Sequence, residues 1–474
     1  MDYEAVIGLE THCQLKTRSK MFCGCANEFG ADPNTNVCPV CLGMPGVMPV
    51  ANERALQLTA LTGYLLHCEV PSFAKFDRKN YFYPDVCKDY QITQFDFPST
   101  TTGHVDFEFE GDIQRVRITR AHLEEDVGKN NHYSEYSGVD FNRAGVPLLE
   151  IVSEPDIRSA DMAYEYLNAL KDILVYGGVS DCDMEKGMVR CDVNISVRLR
   201  GDSELGTKVE IKNMNTFSGV RRAINYEVPR QIEVLESGGF LEQETRRWED
   251  DSGITETMRS KEHAHDYRYF PEPDLMPLCP SKEWLNEVRS HVVELPLVRK
   301  QRFIKDYEIP AQDAEVFVAN VPLGNFFEKA VDGSKNAKAV ANWVINNLQA
   351  RLVESKTSVE DLKFGPDAIR ELVEIIDGGA VSSKGAQQVF SELFENGGFP
   401  KSIVEQKGLA QVNDSSELEK WCQDAINANP GPADDVRNGK ENAINFLKGQ
   451  VMKSSRGKAN PQLAGETLIK LLKG

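Results

Sequence analysis

The apolar residues of this chain change their period once, and that change divides it. Up to about residue 290 they alternate. In "MVRCDVNISVRL", Val189, Cys191, Val193, Ile195, Val197 and Leu199 fall on one side, and Arg190, Asp192, Asn194, Ser196 and Arg198 on the other. This is the two-residue repeat of a half-buried strand. "TKVEIKN" repeats it with Val209 and Ile211 inward, and "VDFEFEGDIQRVRIT" reads as a hairpin turning at Glu110-Gly111-Asp112. Interspersed helices are expected at about 50–66, 159–175 and 218–237. After "HVVELPLVRKQ" the period becomes helical. Pro366 opens a run with Ile369, Leu372, Val373 and Ile376 on one stripe, and Gly378-Gly379 ends it. Ala386, Val389, Phe390, Leu393 and Phe394 form the next stripe, which stops at "NGGFP". Two further amphipathic helices carry Leu418, Trp421, Cys422, Ala425 and Ile426, then Ala443, Phe446, Leu447 and Val451. The expected fold is α+β: a mixed, largely antiparallel sheet domain over 1–294, an all-α helical domain over 295–400, and a small α-helical tail domain over 401–474. A chain of 474 residues is too long for a single core.

Charge separates the tail from the body. The net charge of −19 argues against indiscriminate binding to nucleic acid. Residues 437–474, however, hold eight basic side chains against two acidic ones, a local charge of +6. A short basic end on an acidic body suits one defined polyanion contact; a solvated helical end is the bland alternative. No segment approaches the ~20 apolar residues of a membrane span, and "MDYEAVIGLE" lacks a signal pattern, so the expected location is cytoplasmic.

Eleven cysteines in such a compartment suit metal ligands and buried thiols better than a disulfide framework. Cys23-Gly-Cys25 and Cys38-Pro-Val-Cys41 supply four soft ligands on two tight turns, the donor set of a closed, structural Zn²⁺ site. A loop with incidental or redox-active thiols is the alternative. Just upstream, "GLETH" lies in an expected strand over 5–14, where Gly8, Glu10 and His12 share one face. The face of Arg190, Asp192, Asn194, Glu210 and Lys212 could oppose it, with Glu124, Glu125, Asp126 and Glu150 in reach. Glu150 stands within the apolar run "AGVPLLEIVSEP", where a carboxylate needs a partner or a metal. Carboxylates with one histidine suit Mg²⁺ or Mn²⁺; a structural salt-bridge network fits the same residues. Cys13 faces away from Glu10 and His12 and is expected to be buried and inert.

The usual nucleotide and hydrolase signatures are missing. There is no G-x-x-x-x-G-K-[ST], and the near miss "GDSELGTK" leads into a strand. Neither G-x-G-x-x-G, H-E-x-x-H nor G-x-S-x-G occurs.

Longer strings are more specific. "AVIGLETHCQL", "MFCGC…CPVCLGMPGVMPVAN", "KFDRKNYFYPDVCKDYQITQFD", "AHLEEDVGK", "DFNRAGVPLLEIVSEPDIRS", "MEKGMVRCDVNISVR", "VEIKNMNTFSGVRRAINYEVPRQ" and "RSKEHAHDYRYFPEPDL" together closely resemble the B subunit of the glutamyl-tRNA(Gln)/aspartyl-tRNA(Asn) amidotransferases. The likeness runs on into "KENAINFLKGQVMKSSRGKANP" at the basic end. It implies a cradle domain with a kinase-like α+β fold, then helical and tail domains that hold tRNA. It implies ATP-dependent phosphorylation of the side-chain carboxylate on misacylated Glu-tRNA(Gln) or Asp-tRNA(Asn). Ammonia from a partner amidase subunit would displace the phosphate, with a small third subunit bracing the heterotrimer. The family's magnesium ligands fall on His12, Glu125 and Glu150, with Glu10 beside them, and its four zinc-binding thiols on Cys23, Cys25, Cys38 and Cys41. Lys79, Asp192 and Glu210 sit in its pocket strings, Arg190 and Lys212 are candidates for the ATP phosphates, and Lys448, Lys453, Arg456 and Lys458 for tRNA. The chemistry suits these types: a carboxylate ionised at neutral pH needs no general base, only positioning and charge neutralisation against another anion. Two rivals remain at this stage, a non-catalytic zinc-stapled tRNA-binding scaffold and a ligase acting on a free amino acid.

Overall fold

The computed structural model describes residues 2–260, 267–411, 415–438, 440, 442–455 and 458–473. It divides into two compact units, Met1–Val298 and Arg299–Gly474. Among the described residues the first holds thirteen strands: β1 (Tyr3–Gln14), β2 (Asp77–Asn80), β3 (Tyr90–Thr93), β4 (Thr100–Phe109), β5 (Asp112–Glu125), β6 (Lys129–His132), β7 (Ser137–Asp140), β8 (Pro147–Ser153), β9 (Val189–Leu199), β10 (Val209–Met214), β11 (Glu244–Glu249), β12 (Ile254–Ser260) and β13 (Phe270–Pro271). Eight of them form one mixed sheet in the order β12-β11-β10-β9-β1-β8-β5-β4, antiparallel except between β10 and β11. A second sheet runs β13-β2-β3, and β6 and β7 pair alone.

Helices α1 (Glu53–Leu65), α2 (Ala160–Tyr176) and α3 (Phe217–Glu236) form close to the expected ranges and are N-capped by Asn52, Ser159 and Thr216. They cover one face of the large sheet. There Ile7, Leu9, Cys13, Leu123, Leu149, Ile151, Val193 and Ile195 are buried with Leu58, Leu167 and Val220 in one apolar core. Alternation leaves the opposite face polar. The β4–β5 hairpin pairs Phe109 with Asp112, so its turn is the two residues Glu110-Gly111, both with positive φ (53° and 87°), as a right-twisted hairpin requires.

Among the described residues the second unit is helical. It comprises α5 (Pro296–Tyr307), which begins just before the unit boundary, α6 (Ala311–Ala319), α7 (Val321–Val331), α8 (Ala337–Asn342), a π-helical stretch Trp343–Gln349, α9 (Ala350–Ser355), α10 (Pro366–Asp377), α11 (Ser383–Asn396) and α12 (Pro400–Lys407). These bury Phe303, Phe317, Phe327, Ile369, Leu372 and Val389 together, with Ile403 and Val404 of α12, so this core continues past the boundary expected at residue 400. Helices α13 (Ser415–Ala428), α14 (Pro430–Arg437), α15 (Ala443–Ser454) and α16 (Pro461–Lys473) enclose a separate core of Leu418, Cys422, Leu447, Val451 and Leu468. Helix α4 (Lys282–Arg289) belongs to the first unit. Among the described residues no helix is long and apolar enough to cross a membrane.

Candidate functional site

The polar face of the large sheet is ordered by register. Arg190, His12, Glu150 and His122 stand in one row across β9, β1, β8 and β5. One step along, Asp192 and Glu10 are directly paired. β9 therefore does not oppose β1 from another layer; it lies beside it, and its polar residues extend the same face. His12 Nε2 lies 3.5 Å from Glu150 Oε2 and 3.7 Å from Glu124 Oε1, and His122 Nε2 lies 3.4 Å from Glu150 Oε2. Ligand atoms of His12, Glu124 and Glu150 all fall within 4.8 Å of one another.

This arrangement brings together two of the three expected ligands, His12 and Glu150, and sets Glu124 beside them. Alternation along β5 puts Arg120, His122 and Glu124 on the polar face, and Glu124, not Glu125, completes the cluster. Glu125 is buried elsewhere, where it accepts hydrogen bonds from the Lys88 ammonium and from the Ile92 amide (3.0 Å). His122 was not anticipated, although the same alternation marks it.

The electrostatics follow from burial and crowding. Burial, then the neighbouring Glu150 charge, push Glu124 up to about 7. Burial also works to raise Glu150, but His122 and the hydrogen bond from His12 outweigh it and hold that carboxyl below the usual range. His12 is opposed by burial yet lifted to about 9 by Glu150 and Glu124, whereas burial takes His122 down to about 4. Glu10, hydrogen-bonded by Asn194 at 2.8 Å, is raised by burial and by Glu150. Two crowded acids and an imidazole nitrogen in one half-buried cluster make a donor set that fits a hard divalent cation.

The cations of this face are held in place. Lys212 Nζ sits 2.5 Å from Asp192 and 3.0 Å from Glu210, and Glu210 also accepts from Thr245 at 2.9 Å. Arg190 donates to buried Asp126 at 2.8 Å, which also accepts from Gln14 at 3.0 Å. Burial would raise Asp126, but Arg190 and Arg143 keep it below the carboxylate range. Lys79 on β2 is half-buried, and Glu124 and Glu150 favour its charged ammonium against that desolvation. Its Nζ lies 4.9 Å from the Tyr267 ring centre.

The four thiols Cys23, Cys25, Cys38 and Cys41 converge within 4.8 Å of one another. Cys41 Sγ accepts the Cys38 amide at 3.2 Å, and Lys20, fully buried, places its Nζ 3.6 Å from the same sulfur. Hydrogen bonding with Cys23 and the Lys20 ammonium hold Cys41 below the ordinary thiol range. A buried lysine makes sense only against a local negative charge, so the cradle fits a thiolate-bound Zn²⁺. Cys13 is buried and faces the helices, as alternation implies; its sulfur lies 3.9 Å from Cys182 Sγ.

In the tail, Lys448 lies against Gly465, packing its stem between α15 and α16, while Lys453 and Lys458 are exposed. Arg456 lies outside the described residues.

Comparison with known proteins adds independent findings. Residues 5–286 match the family described as the GatB/GatE catalytic domain, and residues 325–472 match the GatB domain. The chain is 51% identical over 474 residues to the B subunit of the aspartyl/glutamyl-tRNA(Asn/Gln) amidotransferase of Persephonella marina, covering 100% of both chains. It is 50% identical to the protein of that name from Carboxydothermus hydrogenoformans, covering 98% of each. For the one from Thermodesulfovibrio yellowstonii the identity is 48%, over 100% of each.

Proposed function

This chain belongs to the GatB/GatE family, and from that premise we propose that it is the B subunit of a tRNA-dependent amidotransferase. It would convert the glutamyl or aspartyl group on a misacylated tRNA to the amide. The carrying observation is full-length identity near one half together with the half-buried His12–Glu124–Glu150 cluster on the open face of the sheet.

In this reading the substrate carboxylate is phosphorylated by ATP, and ammonia from a partner amidase subunit displaces the phosphate. The substrate acid is ionised at neutral pH, so the chain supplies no general base. Its task is to bring two anions together. His12, Glu124 and Glu150 would hold Mg²⁺ or Mn²⁺, which when bound offsets the repulsion between the carboxylate and the transferring phosphoryl group. Neutral His122, 3.4 Å from Glu150 Oε2, helps to orient that carboxylate, and His12 and Lys79 favour its ionised form. Lys79 adds a fixed positive charge beside the acids, and Arg190 and Lys212, anchored by Asp126, Asp192 and Glu210, are positioned for phosphate oxygens. Glu10 borders the cluster, hydrogen-bonded to Asn194. Zn²⁺ on the four thiols is structural, pinning the loop between β1 and α1. Lys448, Lys453, Lys458 and Arg456, in the tail beyond Lys407, take the tRNA backbone. A small third subunit completes a cytoplasmic heterotrimer.

The test is ADP release by the reconstituted trimer with and without Glu-tRNA(Gln). Release stimulated by the aminoacyl-tRNA, and abolished in Glu124→Gln and Glu150→Gln with tRNA binding intact, is the expected result. Unchanged release in both variants would make the cluster structural and the whole chain a scaffold.

A further inference from the structure

A run of aromatic rings leads away from the acid cluster along the small sheet and its loops. It begins at Lys79, whose Nζ lies over the Tyr267 ring at 4.9 Å. Tyr267 meets Tyr269 edge-on at 5.9 Å, and Tyr269 lies flat on Phe95, with centroids 4.2 Å apart and planes within 7°. Two residues on, Phe97 packs edge-on against Phe73 at 5.3 Å. Exposure increases outward: Tyr267 and Tyr269 are partly buried, whereas Phe95 is 49% exposed and Phe97 46%. Isolated exposed rings need no explanation, but a group of exposed rings beside a polar site is an interaction surface.

The backbone is committed to this arrangement. Arg268, between the two tyrosines, has φ +43°, a left-handed conformation that a non-glycine residue holds only where its surroundings enforce it. Asn80, next to Lys79, enforces it. Its amide N donates to Tyr267 O at 2.9 Å, and its side-chain Nδ2 donates to Tyr267 O at 3.0 Å and Arg268 O at 2.9 Å. The strand that carries Lys79 thereby fixes both tyrosines next to the acids.

Two of the nearby cations are already paired. Lys75 pairs with Asp77 and Asp96, and Arg78 with Glu272 and Asp274. Beyond Lys79 this surface therefore offers chiefly faces for stacking. Resting on the amidotransferase reading, we infer that the Tyr269–Phe95 stack and the rings beyond it hold the unpaired bases at the 3′ end of the aminoacyl-tRNA. The amino acid at the acid cluster is the last unit of that strand, so the bases that follow must leave along a surface continuous with it. Stacking on aromatic rings accepts any base, which suits a terminus shared by all tRNAs.

The test uses the reconstituted trimer and misacylated tRNA carrying 2-aminopurine at each of its last three positions in turn. Stacking quenches this base. Quenching by the wild-type complex at one position or more is expected, with recovery of fluorescence in Phe95→Leu and retention of quenching in Phe95→Trp. In steady state Phe95→Leu should raise KM for the aminoacyl-tRNA roughly tenfold, leaving KM for ATP unchanged and kcat less affected. Failure of the wild type to quench at any position overturns the inference, as does equal quenching by Phe95→Leu. A rise in KM for ATP alone also overturns it, giving the rings to the adenine of ATP. Stimulation of wild-type ADP release by unlabelled aminoacyl-tRNA reports separately on the functional reading.

Discussion

Protons and metal compete for the same atoms on the polar face, and the competition is large enough to measure. At pH 7 His12, raised to about 9, is nearly fully protonated, and Glu124, raised to about 7, is half protonated. A divalent cation needs the imidazole neutral and the carboxylate ionised, so binding at pH 7 should release about 1.5 protons. Both groups lose their protons as the pH climbs through these values, so affinity rises with pH. Between pH 7 and 8.5 the two titrations together predict an increase of about 50-fold, roughly 2.3 kcal/mol, about four fifths of it from His12. Free Mn²⁺ measured by its electron paramagnetic resonance signal against the full-length protein gives the affinity at each pH. Calorimetry in buffers of different ionisation enthalpy counts the protons. Glu124→Gln should weaken binding at every pH by removing a ligand, whereas Glu125→Gln should leave it within about twofold, since that carboxylate turns to Lys88 and the Ile92 amide. An affinity that changes less than about threefold over this range would refute the reasoning, because His12 would then be neutral or outside the coordination sphere.

Other expectations follow from neighbouring features. Glu227 is fully buried on α3, where it accepts from Arg230, Gln231 and Thr255. Glu227→Ala should cost about 1–3 kcal/mol in urea unfolding followed at Trp248, because buried Gln231 and Thr255 lose their acceptor while Glu244 still pairs with Arg230, and Glu227→Gln should lose less; no measurable cost would contradict this. Cys38→Ser should lower zinc content by one equivalent per chain in elemental analysis and open the loop after β1 to protease, and an unchanged zinc content would count against the site. A Cβ on Gly103 would meet Cys68 Sγ at 2.3 Å and Leu66 O at 2.5 Å, so Gly103→Ala should lower thermal stability by about 1–3 kcal/mol.

Much of this architecture is local in origin and legible in the sequence. Alternation through β1 put Glu10 and His12 on one face and Cys13 on the other, and the change of period at about residue 290 marked where sheet gives way to helices. The thiol cluster was readable because its chelating turns are short-range. What could not be read is which strands become neighbours: β1 lies between β8 and β9, from 133 or more residues away in the chain, and no local pattern encodes that pairing. The choice between Glu124 and Glu125 was lost for a different reason. "LEED" ends the strand in three consecutive acids, so polarity no longer alternates there, and only by counting back through Leu123, His122 and Ala121 is the phase recovered. Lys20 escaped notice because its partners, Cys41 Sγ and Phe141 O, meet only in the folded chain.

The central place of β1 has a consequence for synthesis. It leaves the ribosome before the other strands of its sheet, yet its second neighbour, β9, starts only at Val189. At ~5–20 residues per second the strand waits about 10–35 s with one edge unpaired and an apolar side uncovered. Nascent chains stalled before residue 190 should therefore be the aggregation-prone species of this protein, and holdase chaperones should bind them through β1. The strand that centres the finished site is the one the growing chain must protect longest.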